Sequence, residues 1–330
     1  MKGVDLAQFQ FDYDLTWAAF FMNADGTIYG RYGTRSVAGA MAHNSMESFK
    51  NAMRRALELH RNYPANQGSL QGKRGPEPRW KTALEIPATR KQFQKQLLEP
   101  TSRENCIHCH NIYDGWHKTA YDEGTFDQDS LWVYPIPDNV GMSINVDEGN
   151  VVGKVIDGSF ADKAGITAGD VIHTMNGQPI ISQADMQWVL HNLPKEAHLQ
   201  IEIKRDGELL TKTLSLNGDW KKSDISWRGS MWGLRPKLHS WTPELSVEEK
   251  AKLGIAPDAL ALKVHGIYNK PLREAGLKEG DIIVEADGKA QTMTGPQFNV
   301  WLKLNYHSGD QLPIKLIRGG QKISLTIPLE

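Results

Sequence analysis

The 330 residues carry 40% apolar and 23% charged side chains with ten tryptophans, the make-up of a core-forming chain long enough for more than one domain. A formal net charge of −1 supplies no electrostatic drive toward nucleic acid or an anionic membrane. No apolar run reaches bilayer-spanning length, and Met1-Lys2-Gly3-Val4-Asp5 leads into no hydrophobic signal region, so the chain taken as complete reads as cytoplasmic.

Leu15 to Met22 is a strand-length apolar run, and Asn23-Ala24-Asp25-Gly26 after it is a hairpin signal that returns the chain through Thr27 to Tyr32. A helix follows, with Asn44 as its cap, Glu47 as the capping partner, and Phe49, Ala52, Met53 and Ala56 at helical spacing. From residue 63 to 105, prolines, glycines and scattered basic residues read as linker, with one short helix before Pro100.

The strand–hairpin–strand–helix order and the phrase Phe21 to Arg31 resemble the closing half of a thioredoxin-like domain. Asp14-Leu15-Thr16 stands where that family has a cis-proline, and no first half precedes Met1. The resemblance therefore implies a missing N-terminal portion carrying an export signal and a redox pair, which would make the protein periplasmic.

The only two cysteines fall in one word, Cys106-Ile107-His108-Cys109-His110. C-x-x-C-H resembles c-type haem attachment, with Cys106 and Cys109 bound to haem c and His110 ligating its iron. The alternatives to haem are that Cys106 and Cys109 serve as a catalytic dithiol, hold zinc together with imidazoles, or bind nothing. His117 and Met142 are the nearest candidates for a second iron ligand. Residues 106–135 are too few for a whole cytochrome fold and read as a connector.

From Val140 onward the sequence repeats itself. Ala164-Gly165-Ile166-Thr167-Ala168-Gly169-Asp170-Val171-Ile172 recurs as Ala275-Gly276-Leu277-Lys278-Glu279-Gly280-Asp281-Ile282-Ile283, each followed by a turn, a helix and a hairpin. The pattern resembles the HtrA-like PDZ domain twice over, at 136–218 and, with a linker and an inserted helix capped at Ser246, at 219–330. The fold class is thus α+β and multidomain, a partial thioredoxin-like unit (1–62) followed by two PDZ domains. The resemblance implies capture of protein or peptide C-termini as an added strand. Carried over by position, the docking residues are Val140, Gly141, Met142, Ser143 and Ile144 with Met186, Val189 and Leu190 in the first copy. In the second they are Trp232, Gly233 and Leu234 with Phe298, Trp301 and Leu302.

HtrA-like PDZ domains usually follow a serine protease, but no G-x-S-x-G word, H-E-x-x-H pair or phosphate loop is present. The expected function is a cell-envelope scaffold whose tandem PDZ domains hold protein termini beside a redox centre. The alternative is a thiol–disulfide oxidoreductase or electron carrier whose PDZ domains select the redox partner.

Overall fold

In the computed structural model, which describes residues 1–100, 102 and 105–330, the chain forms two units, Met1–Asp224 and Ile225–Glu330. In the first, Asn23 and Asp25 accept the Thr27 N–H with their side chains, and Gly26 takes the left-handed conformation (φ +89°). That reversal joins β1 (Ala19–Met22) to β2 (Ile28–Tyr32) in a two-stranded antiparallel sheet. Helix α1 (Met46–Arg61) is capped by Ser45 rather than Asn44, through a box in which Ser45 and Ser48 hydroxyls exchange hydrogen bonds with each other's N–H. Asn44 is withdrawn from capping because its amide clamps both the N–H and the C=O of Thr34.

The expected linker is folded. Apart from 101, 103 and 104, which lie outside the described residues, it carries α2 (Gln67–Leu70), α3 (Pro87–Gln92) and α4 (Gln94–Leu98), and it buries Lys73 and Ile86 completely. Its prolines start and end short elements, with Pro87 opening α3, instead of extending a solvated tether. Helix α5 (His110–Asp122) lies directly on α3, an approach that Gly115 allows because a Cβ there would strike the Thr89 side chain.

Beyond it come β3 (Met142–Ile144), β4 (Val152–Val155), α6 (Phe160–Lys163), β5 (Val171–Met175), β6 (Gln178–Pro179), α7 (Gln183–Asn192), β7 (Ala197–Arg205) and β8 (Glu208–Leu216). The strands make a β6-β5-β7-β8 sheet and a separate β3-β4 pair around a core that includes Met142, Ile172, Met186, Leu190 and Ile201. Arg205 clamps the Asp170 carboxylate with two bonds, at 2.7 and 2.8 Å, and donates to the Gly165 carbonyl at 2.9 Å, fixing the glycine turn against β7.

Every residue of α7 from Gln183 to Leu190 is buried. One side of the helix meets the core; the other meets the front of the chain. Asp185, with no exposed surface, receives Lys73 Nζ at 3.0 Å and the Arg31 N–H at 3.1 Å. The Arg31 guanidinium lies 3.8 Å from the centroid of the Trp188 ring. Residues from the stretches expected at 1–62, 63–105 and 136–218 thus share one buried polar cluster, and these stretches fall with 106–135 inside the single compact unit Met1–Asp224.

In the second unit the order is β9 (Ser240–Trp241), α8 (Val247–Lys252), β10 (Leu262–Lys263), β11 (Gly266–Ile267), α9 (Lys270–Glu274), β12 (Ile282–Ala286), α10 (Gly295–Asn305), β13 (Gln311–Arg318) and β14 (Gln321–Pro328). The sheet runs β10-β12-β13-β14, β11 pairs with β9, and Phe298, Leu302 and Leu316 centre the core. Ser246 and Glu249 form the expected capping box on α8. Among the described residues no helix is long and apolar enough to cross a membrane.

Asp185→Ala leaves Lys73 buried without its counter-charge and should cost about 3–5 kcal/mol in urea unfolding; a loss below about 1 kcal/mol would contradict the account of the shared core. A second prediction concerns Lys303, 6% exposed and lowered to about 8 by burial and by the nearby Lys237. The unfolded chain then holds more protons than the folded one between about pH 8 and the usual lysine range near 10.5, so this group makes stability rise with pH there. The shift corresponds to about 3 kcal/mol. Lys303→Met should raise stability at pH 7, and its advantage over the wild type should shrink from pH 8 to 9.5; a pH-independent difference would contradict it.

Candidate functional site

Cys109 stands at the start of α5, half-buried against the cluster that contains Tyr13, Ile112 and Tyr113. A helix N-terminus lowers a thiol's pKa, but burial wins here and pushes Cys109 up, although the chain's own N-terminal ammonium opposes it. Cys106 is exposed, and its Sγ lies 3.1 Å from the Ser102 carbonyl; both cysteines are free thiols. His110 is raised, chiefly by its hydrogen bond to Asp114 at 3.1 Å, and its ring stacks on His108. His117 is buried two helical turns on, its ring stacked with Tyr113, and Met142 sits wholly inside the core. Among the described residues no three His, Cys, Asp or Glu side chains converge as a metal site.

A cleft of about 600 Å³ opens beside α5, walled by Phe11, Tyr13, Trp80, Trp116 and, from the outer side of α7, Trp188. The edge of β3 lies elsewhere. A turn over Pro137–Val140 leads into it, closed by the Gly141 N–H on the Asp138 carbonyl at 3.0 Å. Gly141 is left-handed (φ +91°), and a Cβ there would collide with Ser159, so the position accepts glycine for two independent reasons. Strand β3 pairs with β4 alone among the described strands. Gly141 O accepts from Ile156 and Asn145 N donates to Val151, so alternation turns the backbone groups of Met142 and Ile144 to the opposite, unpaired side. Ser143 is occupied locally, donating to Asp138 at 2.9 Å.

Helix α7 packs against this turn. Met186, Val189 and Leu190, expected as groove lining, are at most 2% exposed and form the core beneath. One flank of the helix is polar, with Gln183 facing His43 and Gln187 facing Thr34, and Gln187 also donates to the Tyr134 carbonyl at 2.8 Å. These two residues escape a sequence reading that follows apolar positions; their i,i+4 spacing along one flank of the helix is the signal that could have found them.

The second unit repeats the frame bond for bond. Val264 donates to Asp281 as Val152 does to Asp170, and Arg318 clamps Asp281 and the Gly276 carbonyl as Arg205 does Asp170 and Gly165. The Tyr268 N–H meets His239 O as Ile156 meets Gly141, which puts His239, left-handed at φ +49°, in the place of Gly141. Trp232, Gly233 and Leu234 are thus not the docking loop; they lie earlier, on and just after the turn Gly229–Gly233. Near β9, a Cβ on Gly295 would lie 2.7 Å from the Thr242 carbonyl, so strand and helix touch where a cleft would open. Phe298 is wholly core, and Trp301 is partly buried against it.

A family model described as PDZ domain matches residues 139–216. The chain is 29% identical over 185 residues to a probable periplasmic serine endoprotease DegP-like of Pseudomonas savastanoi pv. phaseolicola, covering 55% of this chain and 37% of that protein. It is also 29% identical over 146 residues to the periplasmic serine endoprotease DegP of Salmonella typhimurium, covering 44% and 28%. The chain therefore spans roughly a third of the length of the curated relatives it matches. Among solved structures, the HtrA3 PDZ domain bound to a phage-derived ligand is 18% identical at a TM-score of 0.24, covering 29% of this chain and 86% of that one. The HtrA-type protease AlgW with tripeptide is 18% identical at 0.27, covering 41% and 53%.

This is a mixed α/β, multidomain chain that contains a PDZ domain. Its relatives are serine endoproteases, which overturns the expected scaffold around a haem or dithiol redox centre together with the oxidoreductase alternative. Under brief treatment with iodoacetamide at pH 7.5, Cys106 should alkylate at least roughly tenfold faster than Cys109, read by peptide mass mapping. Equal rates would contradict the burial of Cys109.

Proposed function

We propose that the PDZ domain at 139–216 binds the C-terminus of an extended peptide, laid along β3 as an added strand with its carboxylate at the Val140–Gly141–Met142 turn. The observation that carries this is the unpaired edge of β3, where Met142 and Ile144 present backbone donors and acceptors directly after a left-handed glycine. Binding is the activity proposed for this domain. The second unit reads as another PDZ-type module by its repeated frame, but with His239 in the loop and Thr242 against Gly295 it is the lesser binding site. The periplasmic relatives support an exported location for this chain as well.

The test is fluorescence anisotropy with a library of heptapeptides carrying free C-termini and with the same library amidated. Free-carboxylate peptides should bind at least about tenfold more tightly, as expected when a charge-assisted hydrogen bond is lost. Gly141→Val should abolish that preference, with circular dichroism confirming the fold. Equal binding of amidated peptides would overturn the proposal.

A further inference from the structure

The loop from Thr34 to Asn44 is closed at its base, where the Asn44 amide bonds both the N–H and the C=O of Thr34. Its tip holds apolar side chains in solvent, Met41 at 82% exposure and Val37 at 56%. Two of its residues leave the loop and reach the flank of α7. Thr34 Oγ1 donates to Gln187 Oε1 at 2.7 Å, and Gln183 Nε2 lies 3.3 Å from His43 Nδ1. His43 is also within electrostatic reach of Asp138, on the turn that leads into β3. It therefore stands between the helix wall and the loop wall at the mouth of the proposed groove. The Gln183 amide nitrogen that faces the ring can only donate, so His43 Nδ1 accepts and Nε2 carries the proton toward Ser36 Oγ at 2.8 Å. Burial lowers the pKa of His43, which favours this neutral ring.

We infer that residues 34–44 are a lid that covers the mouth of the PDZ groove in the same chain and must be displaced before a peptide C-terminus docks. This rests on the peptide-binding reading above. The loop touches the groove through side chains, two hydrogen bonds and the charge of Asp138, while its base is held by Asn44 from the other side. Such contacts hold the lid shut, and when it swings away Gln183 Nε2 and Gln187 Oε1, engaged by His43 and Thr34, become free to meet a ligand while Gln187 Nε2 stays on the Tyr134 carbonyl.

The experiment compares three forms of the full chain against the free-carboxylate heptapeptide library: wild type, a form with 36–42 replaced by a short Gly-Ser link that keeps the Thr34–Asn44 clamp, and the double variant Thr34→Val with His43→Ala. Both altered forms should bind at least about tenfold more tightly than the wild type, the double variant because it loses two hydrogen bonds from the closed state and the shortened form because it loses the covering segment. In the wild type, hydrogen exchange of the 36–43 amides should quicken when peptide saturates. Equal affinities in all three forms, with free-carboxylate preference retained, would overturn the lid and leave peptide binding standing. Slower exchange of 36–43 on saturation would likewise overturn it, because the loop would then close over the ligand. Binding by none of the three would overturn the peptide-binding reading and the lid with it.

Discussion

The carboxylate of Asp185 holds the first unit together. It sits in the first turn of α7, wholly out of water, and gathers the Lys73 ammonium, the Arg31 N–H and the Ile181 N–H. A helix N-terminus favours an anion there, but one carboxylate faces two buried cations, Lys73 and Arg31. Burial accordingly lowers the pKa of both bases, Asp185 opposing the shift. The arrangement survives because most of the remaining donors reach carbonyls, Lys73 on Pro179 and Arg31 through Nε on Gln10 and through Nη2 on Lys73 itself, while Arg31 Nη1 has no hydrogen-bond partner and the guanidinium lies over the Trp188 ring. Gly30 is required beside it, since a Cβ there would meet Ile181 and the Asp185 carboxylate.

From that anchor the rest follows. Because Asp185 fixes α7 to β2 and to the turn Gln71–Lys73, the helix is enclosed on all sides and cannot shift as a free PDZ helix would. The chain leaving β2 at Tyr32 is delivered to the Gln183 and Gln187 flank of the helix. The loop 34–44 lies where it does because β2 ends there. The same enclosure gives Trp188 an outer wall, where its indole N–H reaches the Gly72 carbonyl at 2.8 Å.

What could be read from the residues was local geometry with a strong chemical signature. The Asp-Gly reversal, the repeated Gly-Asp turns and the Ser246 box each depend on a residue that few others replace, and each is present. Asn44 shows the limit of such signals. Its side chain is a good cap, but a clamp to Thr34 ten residues back competes for it, and the cap passes to Ser45. Residues 63–105 read as linker because proline and glycine mark turns without saying whether the turns are buried, and the burial of Lys73 depends on a partner more than a hundred residues away. The docking loop of the second unit was misplaced because Gly233-Leu234 imitates Gly141-Met142 in type, whereas the left-handed position is occupied by a histidine, which no search for glycine finds.

The central claim is that a peptide joins the unpaired edge of β3. The most direct measurement is residue-resolved amide hydrogen exchange of Met142 and Ile144 as a free-carboxylate heptapeptide is titrated in. The account predicts saturable slowing at both amides, with no change at Ser143, which already faces β4. Binding that leaves Met142 and Ile144 exchanging at their free rates would contradict it.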